Sequence, residues 1–412
     1  MTMEIRPVYL VMVDGCGNHN KYYRMIPQGD RFVAEYGRVG ASMQTRTYPI
    51  SQFQRKYSEK ISKGYVDRTS LMEDLIVKEK PKNNGGFRES ASKAIAAIVD
   101  RLQSMANKAV SENYTVSSNK VTGDMVAAAQ KALGDLSKAA QDASFDTTEF
   151  NNALIELFGI IPRKMSNVHG NLAKDRDDFE KILRREQDLL DVMRGQIYVP
   201  APVNEEVRDE GEQTILEAHG LTFEEVTEED VIRIKSCLGS CADKFHRAWR
   251  VTNHATQKAF EEFVYSEFER SGRMQTKLLW HGSRNENWWS IIKSGLILRP
   301  NAIITGKMFG YGIYFATKAR KSLGYTSISG SYWAKGSSSS GFMGLYEVAY
   351  GKPYDVHSFN SIYHSLDYDG LQKLCPGAHC LHAHEGQMLR NDEIIIYKEC
   401  QTTIKYLVEL RE

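Results

Sequence analysis

Hydrophobic and polar positions change their period along this chain, and each change marks a different kind of structure. Up to about residue 77, short apolar runs alternate with turn signals: VYLVMV, DGCGNHN, KYYRMI, PQGD, RFVAEYGRVG and ASMQTRTY. This predicts a small antiparallel sheet, followed by a helix over 51–63 with Phe53, Tyr57 and Ile61 on one face. Over 87–200 the period becomes helical. Ile95, Ile98, Val99, Leu102 and Met105 make one stripe, and Phe179, Ile182, Leu183, Leu190 and Met193 make another. Stripes of this kind are buried by packing helices on one another, so a bundle is expected. Beyond residue 214 strands dominate, in KLLWH, GIYFAT, GLYEVAYGKPYDV, EIIIYKE and TIKYLVEL, with helices near 286–294 and 318–325. The polar stretches 78–86 and 198–213, broken by Pro or Gly, read as linkers, and WAKGSSSSG reads as a loose hairpin or loop. The predicted fold is multidomain α+β: a small antiparallel-sheet module over 1–77, an all-α bundle over 87–200 and a mixed α+β domain over 214–412.

Length agrees with several modules, since 412 residues exceed what one core serves. A formal charge of +1 excludes a uniformly basic nucleic-acid binder. Charge is uneven, however: residues 1–85 hold 14 Lys/Arg against 9 Asp/Glu. A local basic surface on the first module is therefore expected, with Lys21, Arg24, Arg31, Arg46, Arg55 and Lys56 as candidates for phosphate contact. The apolar run near the start is too short for a signal peptide, and nowhere do about 18 uncharged apolar residues run together, so no membrane partner is expected. Six cysteines do not make a disulfide framework, which suits an intracellular protein with reduced thiols. One run, CPGAHCLHAHEG, gathers Cys375, His379, Cys380, His382 and His384. Its ligand types suit zinc but its spacing matches no usual paired pattern, so it reads as a polar loop and no metal is expected.

Candidate chemistry lies in two glycine-punctuated apolar segments. LLWHGS and MFGYGIYFA each deliver one polar ring, His281 or Tyr314, into apolar surroundings, and Gly282 lets a ligand approach the backbone closely. Taken singly, such a ring fits an ordinary barrel or sandwich core equally well. The whole pattern narrows the choice. HGSR, then GYGIYFA, then KSLGYT, then Glu393 ahead of Ile394–Tyr397 and KYL at 405–407 closely resembles the catalytic signature of the poly(ADP-ribose) polymerase family, and NHATQKAF at 253–260 resembles its preceding segment. Tyr22, Tyr23 and the run YGRVG from Tyr36 resemble the WGR domain of DNA-dependent members, with Tyr36 where the family has tryptophan. LIELFGIIPRK resembles their helical regulatory domain, which hinders NAD entry until DNA binding loosens it.

The resemblance implies NAD as a substrate, and no P-loop or GxGxxG run suggests a redox dinucleotide site. Breaking the bond between nicotinamide and ribose builds positive charge on the sugar, so an anion below the ring and a pocket for the leaving amide are required. By resemblance, the catalytic set is Glu393, His281 and Tyr314. The backbone of Gly282 and the hydroxyl of Ser322 would hold the carboxamide. Tyr314 and Tyr325 would sandwich the pyridinium, with Phe315 and Ala316 beside them. His281 would meet ribose hydroxyls, Ser283 and Asn287 would reach the adenosine side, and Lys321 would line the acceptor path. Tyr36 would stack at a DNA end and Arg38 would relay that contact to the neighbouring module. Two departures stand out: Ile297 replaces a basic residue, and the segment before Glu393 is short and rich in Cys and His. The implied function is a DNA-break-responsive poly(ADP-ribosyl)transferase acting on proteins, itself included, in a nucleus or, in a bacterium, the cytoplasm and nucleoid. The alternatives are a DNA-end binding scaffold with a silent transferase fold and a constitutive mono-ADP-ribosyltransferase.

Overall fold

The computed structural model describes residues 5–71, 88, 92–114, 122–197, 213–298, 308–328 and 338–412. The linker at 78–86, nearly all of the one at 198–213 and most of the WAKGSSSSG stretch lie outside them. Two compact units emerge among the described residues, the first comprising 5–71, 107–114 and 122–197, the second 88, 92–106, 213–298, 308–328 and 338–412.

The first unit opens with the expected sheet. Strands β1 (Val8–Asp14), β2 (His19–Gln28), β3 (Arg31–Arg38) and β4 (Gln44–Pro49) are joined antiparallel, helix α1 spans Phe53–Ser62, and β5 (Val66–Asp67) closes the order β4-β3-β2-β1-β5. Inward alternation supplies the core of Leu10, Tyr23, Met25, Phe32 and Ala34, with Phe53 of α1 laid on it. Tyr57 packs against this core, but Ile61 is 39% exposed, contrary to its place on the predicted stripe. Lys60 takes the covering position there, with its ammonium over the rings of Tyr23 and Tyr65.

The bundle follows. Helix α2 (Lys93–Asn113) is divided between the units at Asn107, whereas α3 (Gly123–Ala139), α4 (Thr147–Ile160) and α5 (Asp177–Ile197) belong wholly to the first. Local chemistry starts these helices where the sequence allows: Thr122 caps α3 through Met125 N, and Asp146 with Glu149 makes a capping box on α4. Ile95, Ile98, Val99 and Leu102 are buried, as are Phe179, Ile182, Leu183, Leu190 and Met193. Phe150 and Phe179 stack at 3.8 Å between centroids. Arg38 ties sheet to bundle within this unit: its guanidinium donates to the Asn18 carbonyl (2.8 Å) and to the Met165 (3.1 Å) and Ser166 (2.9 Å) carbonyls.

The second unit is built on one nine-stranded sheet. Its elements are α6 (Ile215–Ala218), β6 (Leu221–Glu225), α7 (Glu228–Leu238), β7 (Phe245–Asn253), α8 (His254–Ser271), β8 (Thr276–Gly282) and α9 (Trp288–Ser294). They continue with β9 (Ile313–Ala316), α10 (Ala319–Leu323), β10 (Ser340–Ala349), β11 (Pro353–Val356), α11 (Tyr368–Leu374), β12 (Cys380–Ala383), β13 (Glu393–Ile396) and β14 (Thr402–Arg411). Strand order is β11-β12-β13-β9-β8-β10-β14-β7-β6, and among these pairings only β11 with β12 is parallel. Two expectations are corrected. GLYEVAYGKPYDV is two strands, because Gly351 (φ 48°) turns the chain between β10 and β11. The Cys/His-rich run is no polar loop: Cys380–Ala383 is the buried strand β12, with Cys380, Leu381 and Ala383 fully buried.

Asp230 fastens α7 to this sheet. Its carboxylate accepts from the Tyr406 hydroxyl (2.6 Å) and from Arg250 Nη2 (2.9 Å), and closes a capping box with Thr227. Burial alone would raise its pKa, but these bonds outweigh burial and hold the carboxyl well below its usual range. A depressed carboxyl stabilises above its unfolded pKa of about 3.9 and loses that contribution as pH falls through the lower folded value. Asp230→Asn is therefore expected to destabilise the chain by about 2 kcal/mol at pH 7, with the gap narrowing only below about pH 4. Urea unfolding of both proteins at neutral and acid pH measures it; a difference that ignores acidity would refute the assignment.

A candidate active site at the centre of the sheet

Three neighbouring strands, β8, β9 and β13, bring the sequence-predicted residues together. Trp280 pairs with Ala316, and Ala316 pairs in turn with Glu393, so these three stand abreast. Tyr314, two residues before Ala316, shares the face of Glu393 and pairs with Ile395. A single pair joins β8 to β9, and His281 lies just past it, its Nδ1 3.0 Å from the Tyr314 carbonyl. A carbonyl only accepts, so Nδ1 carries the proton and Nε2 the lone pair. Ala316 belongs to one apolar core, with Trp280, Leu345 and Val408, while Tyr314 packs against the other, with Phe309, Leu381 and Ile395. Strand β9 thus carries the seam between the two cores, and the polar residues sit along it.

Lys321, from α10, reaches Glu393 Oε1 at 2.5 Å, and both side chains are largely buried. The pairing fixes the carboxylate's position and balances its charge. The Tyr314 hydroxyl receives the Phe309 N–H and donates to the Gly310 carbonyl, each at 3.0 Å. Burial, helped by the nearby Glu393, holds this phenol above its ordinary pKa. The hydroxyl thereby knots the GYG turn. The turn's glycines answer to packing: Gly310 has φ 72° and lies against the Leu366 backbone, and a Cβ at Gly312 would fall 2.2 Å from the Ile395 side chain.

Gly282 has a similar reason. A Cβ there would lie 2.0 Å from the Ser322 carbonyl oxygen, so β8 and α10 approach as closely as a glycine allows. Ser322 is buried and its hydroxyl donates to the Trp280 carbonyl (3.0 Å), leaving its oxygen to accept. Asn287 donates to the Ser283 hydroxyl (3.1 Å), and its buried Oδ1 has no partner among the described residues. Phe315 and Ala316 are buried side chains, so only their backbone could meet a ligand, whereas Tyr325 is 46% exposed. Sequence reasoning missed Asn285, whose side chain donates to the Ser340 carbonyl and accepts from Phe342 N, pinning the loop after β8 to β10. Only its place beside the HGSR run could have flagged it.

A family profile described as the poly(ADP-ribose) polymerase catalytic domain matches residues 229–412, and a WGR domain profile matches 6–71. Uncharacterized protein 101L of Invertebrate iridescent virus 6 is 32% identical over 234 residues, 56% of this chain and 93% of that protein. Poly [ADP-ribose] polymerase 2-A of Oryza sativa subsp. japonica is 36% identical over 137 residues, 31% of this chain and 19% of the rice protein. Poly [ADP-ribose] polymerase 2 of Homo sapiens is 33% identical over 158 residues, 32% of this chain and 26% of the human protein. The chain thus spans nearly all of the viral protein but no more than about a quarter of the rice and human polymerases. The matched part of the second unit is an NAD-dependent ADP-ribosyltransferase catalytic domain. With a WGR domain ahead of it, the chain belongs to the poly(ADP-ribose) polymerase family. No helix among the described residues is long and apolar enough to cross a membrane.

Proposed function

We propose that this protein is a DNA-break-responsive poly(ADP-ribosyl)transferase, which moves ADP-ribose from NAD to protein acceptors, itself included, and releases nicotinamide. The observation that carries this reading is the placement of Glu393, Tyr314 and His281 on three adjacent strands, with Lys321 paired to the glutamate. Nicotinamide would lie on the Tyr314 ring, its other face toward the exposed Tyr325 and its carboxamide bonded to the Gly282 backbone and the Ser322 oxygen. His281 would accept a ribose hydroxyl at Nε2. As the glycosidic bond stretches, Glu393 supplies the anion for the developing oxocarbenium and polarises the acceptor. Ser283 and Asn287 would receive the adenosine side.

The WGR module would meet the break. Arg31, Arg46 and Arg55 are exposed, which suits phosphate contact, whereas Arg24 and Lys56 are paired with Glu35 and Glu59. Arg38, bonded to three backbone carbonyls across sheet and bundle, is the natural relay. Such a protein works where NAD and damaged DNA meet, the nucleus in a eukaryote.

Labelled NAD with and without nicked duplex tests the proposal. Incorporation that rises at least about tenfold with nicked DNA and runs as a ladder on a gel is expected. No incorporation under either condition would favour a silent scaffold, and a DNA-independent single addition would favour a constitutive mono-transferase.

A further inference from the structure

On the edge of the sheet farthest from β6, the structure brings together side chains that the transferase reaction does not use. Asp355 on β11 is the register partner of His382 on β12, and His384 follows two residues later on the same face. Asp355 Oδ1 lies 2.7 Å from His384 Nε2 and 3.7 Å from His382 Nδ1, and the three ligating atoms all fall within 4.8 Å of one another. Atoms around a tetrahedral zinc with bonds of about 2.0–2.1 Å stand roughly 3.4 Å apart, so small side-chain rotations bring these three to that spacing.

A second observation singles this cluster out from a chance grouping. The other nitrogen of His382, Nε2, faces Asp392 Oδ2 at 3.1 Å. A carboxylate in that position accepts the hydrogen bond of an Nε2–H and so favours the tautomer with the lone pair on Nδ1, the nitrogen turned toward Asp355. This is the outer-shell arrangement that orients histidine ligands in metal sites. Asp392 is itself held by the Glu385 N–H (2.7 Å), and the Tyr350 hydroxyl, 2.8 Å from His382 Nδ1, donates into that lone pair in this structure, so it must turn its hydrogen away for a metal to take the nitrogen. The imidazoles of His382 and His384 stack at 3.8 Å, with His357 stacked beyond at 4.4 Å. Exposure grades from 11% at His382 through 27% at His384 to 50% at Asp355, which leaves an outer position open to solvent.

We propose that Asp355, His382 and His384 form a zinc site, with two imidazoles, one carboxylate and a solvent ligand, and with Asp392 as the orienting partner of His382. Two neutral nitrogens and one oxygen suit zinc over calcium or magnesium, which take oxygen ligands. His382 pairs with Ile394 and Ala383 with Glu393, so the site lies on the opposite face of the sheet from the Glu393 side chain. Its work is structural: it fastens the short parallel edge strand β11 to β12 and, through Asp392, the residue directly ahead of Glu393. The expectation of no metal rested on the spacing of the Cys375–His384 run. That run divides in the fold, since His379 faces Glu267 (3.0 Å) and the Cys380 thiol faces the Tyr350 carbonyl (3.3 Å). The missing acidic ligand comes from β11.

The experiment uses the full chain, stripped with a chelator and titrated with zinc against a competing fluorescent chelator. One equivalent at submicromolar affinity is expected. Asp355→Asn and His384→Gln alter an exposed and a partly buried side chain and nearly keep their size, and each should weaken binding at least about 100-fold; Asp392→Asn should weaken it about 10–100-fold. Thermal melts in chelator, alike for all variants and the parent, show that the fold persists. Zinc-edge absorption should show only nitrogen and oxygen neighbours near 2.0 Å. Less than a tenth of an equivalent bound, affinity unchanged in both ligand variants, or a sulfur shell near 2.3 Å would each overturn the proposal.

Discussion

Glu393→Gln is expected to lower ADP-ribose incorporation by about 10²–10³-fold while leaving the protein folded. Glutamine keeps the shape of the side chain and can still accept from Lys321, which lies 2.5 Å from one carboxylate oxygen. What disappears is the fixed negative charge, and on the proposed reading that charge acts mainly after the bond to nicotinamide has begun to stretch. Because a group that works in the transition state leaves ground-state binding nearly alone, the loss should fall on kcat while KM for NAD changes by no more than a few fold. Single-turnover release of nicotinamide, measured across NAD concentrations, separates the two. A loss below about fivefold, or one confined to KM, would remove Glu393 from the chemistry and leave it as the counter-ion of a structural lysine.

That the three strands meet was only half legible in the sequence. Each strand announces itself: apolar runs with glycine at fixed places give β8 and β9, and EIII gives β13. Their adjacency does not, because β13 reaches β9 across a sheet whose order is unrelated to chain order, and register between distant strands is set by tertiary packing. Gly282 was read as room for a ligand, yet it is also required by the Ser322 backbone in contact, and Gly310 and Gly312 are likewise required by the Leu366 backbone and the Ile395 side chain. Lys321 illustrates the same limit. Its position beside Ser322 was visible, but its partner lies 72 residues away in a strand that only the fold brings near.

The bundle shows the opposite balance. Helical stripes gave its buried positions directly, since Phe179, Ile182, Leu183, Leu190 and Met193 are all inside. A polar residue in such an interior breaks the pattern and cannot be recognised from it. Arg163 and Glu186 are that case, and His382 in the buried strand β12 is another. Runs rich in polar residues look like loops until the partners that satisfy them are known.

Arg163→Met should destabilise the first unit by about 3–5 kcal/mol, because it strands a buried carboxylate. Arg163 and Glu186 are 4% and 3% exposed and form an ion pair inside the bundle, with the guanidinium 5.2 Å from the centroid of the Phe158 ring. The same residue joins bundle to sheet, its carbonyl accepting from the buried Asn20 side chain at 2.8 Å. Arg185 also approaches Glu186 at 3.1 Å, but it is 40% exposed and supplies a screened charge, which places the loss toward the lower end of the range. Removing both charges answers the question of mechanism: Arg163→Met with Glu186→Leu should recover stability to within about 1 kcal/mol of the parent, since apolar packing often replaces a buried pair without loss. Urea unfolding of the parent, the single variant and the double variant gives the three free energies. If the single substitution costs less than about 1 kcal/mol, Glu186 is being solvated; if the double variant is no better than the single, packing and not charge holds α5 in place. The result bears on the proposed regulation too, because on that reading the bundle would have to loosen on DNA binding and so be held neither too tightly nor too loosely. Hydrogen exchange over residues 122–197, compared with and without nicked DNA, shows whether the segment fastened by this pair is the part that opens.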